Sequence, residues 1–226
     1  MAVLVGIFSV EGTSTQVSYI KNAVNRCTYP LDNMLPAMNG AGYTKIRVRF
    51  LPGGDPIFQG RFWAYAQTFS ACTISVRNDI PERATKVMFI HEVGHFADAF
   101  YLNNTRRRRI HRYYHYMDPA ATANPNHGWF DPDPGTTVGA TPYHREQQEG
   151  FASDFIDLFS DLDSTSYQST YSHTLVSSRY QGARDLVLTG VIGEEPPGSG
   201  APPGDEGQEP EPDAIGSNPY PPSPCG

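Results

Sequence analysis

The chain has 226 residues, enough for one domain with a sizeable core. Its formal charge of −7 belongs to residues 193–226, which carry seven acids and no Lys or Arg. The first 192 residues hold 17 basic and 17 acidic side chains, which excludes a globally basic nucleic-acid binder and any reading of the low pI as a property of the fold.

No apolar run is long enough to span a bilayer, so no membrane partner is expected. The N-terminal run Val3–Val10 is apolar, but the first Lys or Arg is Lys21. The basic segment of a signal peptide is therefore missing. The run reads as one opening strand, and the chain as synthesised in the cytoplasm, with its final location open. Cys27, Cys72 and Cys225 are odd in number and form no CxxC. That argues against a disulfide framework and against a thiolate zinc site.

Residues 15–29 carry Val17, Ile20, Ala23, Val24 and Cys27 at helical spacing, and Pro30 and Pro36 break the pattern. Tyr43–Leu51 alternates apolar Ile46, Val48 and Phe50 with Lys45, Arg47 and Arg49, as a half-buried strand does. The cluster Pro52-Gly53-Gly54-Asp55-Pro56 is a turn. Phe58–Gln67 and Cys72–Val76 read as two more strands.

Asp79 is placed to cap a helix whose first turn holds Pro81 and Glu82 and which ends near Leu102. Phe89, Val93, Phe96 and Phe100 share one side, suited to pack on a sheet. Ala84, His91, His95, Asp98 and Leu102 share the other. Residues 103–142 show no periodicity. A second helix is expected at 145–163, with Phe151, Phe155, Leu158, Phe159 and Leu162 as its apolar face. A short strand is expected at Leu186–Leu188.

His91-Glu92-Val93-Gly94-His95 is an HExxH pattern on the first long helix. Histidines at i and i+4 lie on one helix face and can share one zinc ion. The glutamate beside the first histidine can take a proton from a water that the metal acidifies. The pattern is short, so its setting decides. Two histidines and a glutamate buried on a greasy helix are costly without a partner. The plainer reading is a pair of hydrogen-bonded core histidines.

Catalytic zinc has three protein ligands and one open position. A metzincin would place its third ligand at 101, which is Tyr101, so that pattern fails. The remaining candidates are Glu146, Glu149, Asp98 and histidines 111, 115, 127, 144 and 173. Glu149 lies three and seven residues before Ala152 and Ile156, at the edge of the apolar side of the second helix. Glu146 falls on the wet side with Asp157, Ser160 and Asp161. Glu149 is therefore the carboxylate placed to look inwards. A glutamate in a first helical turn also has a purely structural use, because the helix dipole favours it there.

The stretch from His91 to Phe100 resembles the HExGHxxD segment of the anthrax lethal factor-like zinc metallopeptidases, a group that includes the bacterial Pro-Pro endopeptidases. Glu149-Gly150-Phe151-Ala152-Ser153-Asp154-Phe155 resembles the downstream E-x-F-A-E-x-F helix of that group, with Gly150 and Ser153-Asp154 as departures. The likeness covers residues 79–155. It implies a gluzincin, with His91, His95 and Glu149 on Zn2+ and Glu92 as general base. It also implies a tyrosine that holds the oxyanion. The matching position is Pro142, and Tyr143 follows it by one residue. Asp98 then orients a ligand histidine or nearby backbone.

The expectation is an α+β, zincin-like metallopeptidase domain at 1–192: a small mixed sheet, the HExxH helix and a glutamate-bearing helix. A disordered, acidic, Pro/Gly-rich tail at 193–226 follows. The expected activity is zinc-dependent hydrolysis of a protein or peptide substrate, as an endopeptidase. The competing expectation is a binding or structural component of a larger assembly that keeps the fold without turnover. Arg106–Arg109 and Arg112 beside Tyr113, Tyr114 and Tyr116 could contact phosphates and bases. The neutral body favours a solvated loop or a lid instead, and either this segment or the tail could serve an assembly.

Overall fold

The structure, a computed structural model, describes residues 2–58, 66–69, 72–102, 106, 110, 147–162 and 180–190. It shows a mixed α+β arrangement around a small sheet of strand order β1-β2-β3-β5-β4. The strands are β1 (Val3–Val5), β2 (Phe8–Glu11), β3 (Ile46–Leu51), β4 (Ala66–Phe69) and β5 (Thr73–Arg77). β2, β3 and β5 are parallel, while β1 and β4 are antiparallel edges.

The opening run is a hairpin rather than one strand. Val3 pairs with Val10 and Val5 with Phe8. Gly6, at φ +56, takes the first place of the two-residue loop, where a side chain is strained. Its partner strand sends Phe8 and Val10 into the core.

α1 (Ser14–Arg26) starts at a capping box. The Thr13 hydroxyl accepts from Gln16 N, and the Gln16 side chain accepts from Thr13 N. Pro30 is followed by a short 3-10 turn (Leu31–Met34) and then α2 (Leu35–Gly40). Pro36 thus opens a helix instead of breaking one, because its missing N–H falls in a first turn.

β3 is shorter than the alternation suggested, and Ile46 and Val48 are buried. On the other face Arg47 donates to both carboxylate oxygens of Glu11, at 2.8 and 2.7 Å. The Arg47 hydrogen bond holds the Glu11 carboxyl below its ordinary range. A 3-10 turn (Pro56–Phe58) stands where the third strand was expected to begin, and that strand appears later as β4. Residues 59–65 lie outside the described residues.

α3 (Glu82–Phe100) begins after Pro81, not at an Asp79 cap. The Asp79 carboxylate is taken by Arg77 Nε and Nη2, at 2.9 and 2.7 Å. α3 packs on the sheet, α1 and a second long helix, α4 (Gln147–Phe159). The expected apolar side is met by the sheet: the rings of Phe8 and Phe89 stand edge to face at 5.0 Å. Where a strand was expected at Leu186–Leu188, the chain forms α5 (Tyr180–Thr189). Ala183, Leu186 and Val187 are buried at i, i+3 and i+4, the spacing of a helix face.

Tyr29 joins α1 to α4. It is 2% exposed, and its ring meets those of Phe155 and Phe159 at 5.1 and 5.2 Å. Its hydroxyl finds no hydrogen-bond partner among the described residues, and burial pushes the phenol far above its ordinary range. The ring therefore stabilises the junction while the hydroxyl opposes it. Tyr29→Phe should hold or raise stability, by up to about 1 kcal/mol in urea melts. A loss of that size would show that the hydroxyl has a partner.

Among the described residues no helix is long and apolar enough to cross a membrane. Burial pushes the Cys27 thiol up to about 11. The boundary at 192, the tail and Cys225 lie outside the described residues.

Candidate metal centre

α3 is buried on two sides, which explains its weak amphipathicity: the sheet covers one side and α4 the other. His91 is 8% exposed, Glu92 5% and Asp98 6%, while His95 is half-buried. The motif is thus inside the molecule, with His95 at its wetter end.

The two imidazoles face each other. Their centroids are 4.9 Å apart and their planes 84° apart. Two imidazoles ligated at about 2.0–2.1 Å to one tetrahedral zinc would place their centroids roughly 5 Å apart. The centroid spacing of the pair is thus that of two imidazoles on one ion. Glu92 follows His91 directly, so it points about 100° around the helix from His91 and about 60° from His95, off the face the two histidines share.

The approach of α4 depends on a missing side chain. A Cβ on Gly94 would stand 2.9 Å from Ala152 Cα and 3.0 Å from Phe155 Cβ. The helices therefore touch backbone to backbone at this point. One turn away, Ser153 Oγ stands 3.4 Å from His91 Nδ1. Glu149 belongs to the first turn of α4, one turn before Ala152 and Ser153. Its side chain lies outside what the structure describes.

Among the described residues, no group of three or more His, Cys, Asp or Glu side chains stands together as a metal site. The described part of the centre is the histidine pair, with Glu92 beside it. Tyr143, Glu146 and histidines 111, 115, 127, 144 and 173 lie outside the described residues, as do Arg107–Arg109. Asp98 is buried one turn after His95 on the same helix.

No family model, no curated protein and no solved structure matches the chain at a significant level. The resemblance to lethal factor-like peptidases therefore rests on the residues that carry it.

Two residues of the centre were not singled out from the sequence. Gly94 sits inside the motif, but the need for glycine appears only when α4 is seen against it. Ser153 lies four residues after Glu149, on the same helical side, and that spacing was the available signal.

Proposed function

We propose that the chain is a zinc-dependent metallopeptidase, an endopeptidase of the gluzincin type on a zincin-like domain. His91, His95 and Glu149 would hold the metal. The observation that carries the reading is the edge-to-face pair His91–His95 at 4.9 Å on one helix, with His91 and Glu92 buried and His95 half-buried. Zinc, when bound, supplies a Lewis acid that acidifies a water and polarises the scissile carbonyl.

The chain's own residues divide the remaining work. Glu92 takes the proton from the attacking water and delivers it to the leaving amine nitrogen. Its burial keeps competing water away from that transfer. Tyr143 donates a hydrogen bond to the oxygen on which negative charge develops. Asp98 supports the histidine side of the centre.

Digestion of a mixed peptide library tests the reading. Cleavage should be internal, should stop with a chelator and should return when zinc is restored. Cleavage that survives the chelator, or no cleavage by the zinc-loaded chain, contradicts it. The second result with zinc still bound would favour the binding-component reading.

A further inference from the structure

Ser153 is a polar side chain inside the contact between α3 and α4. It is 2% exposed, and its hydroxyl faces Nδ1 of His91 at 3.4 Å. The His91 ring is itself 8% exposed. With Nδ1 turned to the serine, the nitrogen left for any ligand on the far edge of the ring is Nε2.

A neutral imidazole carries one proton and one lone pair, on different nitrogens. A metal needs the lone pair on the nitrogen that faces it, and the hydrogen bond made by the other nitrogen decides which one that is. A serine within a helix can give its own proton to the carbonyl one turn back. Its oxygen then offers only lone pairs, which suit an Nδ1–H donor.

We propose that Ser153 is a positioning residue for His91. Its Oγ accepts a hydrogen bond from Nδ1–H, fixes the plane of the ring and keeps the Nε2 lone pair turned to the metal. The inference deepens the peptidase reading and rests on it. It also gives the hydroxyl a purpose. Glu92, Asp98 and Asp154 are already three buried acidic side chains on these two helices, at 5%, 6% and 2% exposure. A carboxylate at 153 would add a fourth, with the desolvation cost of another buried charge. A hydroxyl orients the ring without that cost.

The test uses the full chain with histidine labelled by nitrogen-15, read in two ways. Long-range proton–nitrogen correlation in the metal-free protein should show His91 protonated on Nδ1. In Ser153→Ala that preference should be lost, while the backbone spectrum and melting temperature stay close to wild type. Competition against a chromogenic chelator should show zinc held about 10- to 100-fold more weakly by Ser153→Ala. Ser153→Thr, which keeps the hydroxyl, should bind more tightly than the alanine variant. Unchanged zinc affinity in Ser153→Ala overturns the proposal, as does a wild-type His91 protonated on Nε2. If wild type binds no zinc at all, the peptidase reading fails, and the correlation spectrum still decides whether Ser153 holds the ring.

Discussion

Glu92→Gln should keep one zinc per chain and lose peptidase activity by about 10²- to 10⁴-fold, the size of a lost proton-transfer group. The substitution changes almost no volume at a position that is 5% exposed, so packing of α3 on its neighbours should survive. What changes is proton affinity: an amide cannot take a proton from water at neutral pH. Since Glu92 lies about 100° from His91 and about 60° from His95 around the helix, off their shared face, removing its charge should leave the ligands in place. The measurements are kcat/KM on a cleaved peptide and metal content of the same sample. Loss of zinc would make Glu92 a ligand. Full activity with zinc retained would remove it from the proton path.

Gly94→Ala is expected to act on the geometry of the centre. In an open helix this change stabilises by about 1 kcal/mol, because glycine is a poor helix former. Here the new methyl meets Ala152 Cα at 2.9 Å and Phe155 Cβ at 3.0 Å. Backbone cannot swing aside as a flexible side chain end can, so the helices must separate. Overpacking of this kind costs about 1–3 kcal/mol, which reverses the sign of the helix-propensity effect. The melting temperature should fall by several degrees. Zinc affinity should fall with it, since the same shift moves Ser153 away from His91. A variant as stable as wild type, with unchanged zinc affinity, would show that the backbone contact does not set the centre.

The parts of the fold with long, clean periodicity were legible in the sequence. Ile20 and Ala23 in α1, the phenylalanines of α3 and α4, and Ile46 and Val48 in β3 are buried where their spacing places them. The motif helix and the second helix were found for that reason. Shorter signals misled. Val3–Val10 is apolar almost throughout, so only Gly6 marked the hairpin. Leu186–Leu188 is too short to separate a strand period from a helix period, and Ala183 three residues earlier decides for a helix. Asp79 looked like a cap because nothing in the sequence shows that Arg77 takes both of its oxygens. The histidine pair was readable because i and i+4 share a face. The role of Gly94 was not, because it comes from how α4 crosses α3 and no local pattern encodes a crossing, and Ser153 carried only its spacing from Glu149.

The central claim is that the HExxH helix holds a metal. Elemental analysis of the full chain, purified without chelator, tests it most directly. The account predicts one zinc per chain in wild type and none retained in His91→Ala or His95→Ala, with all three proteins folded. A wild-type chain that holds no zinc and cannot be loaded would contradict it, as would histidine variants that keep the metal.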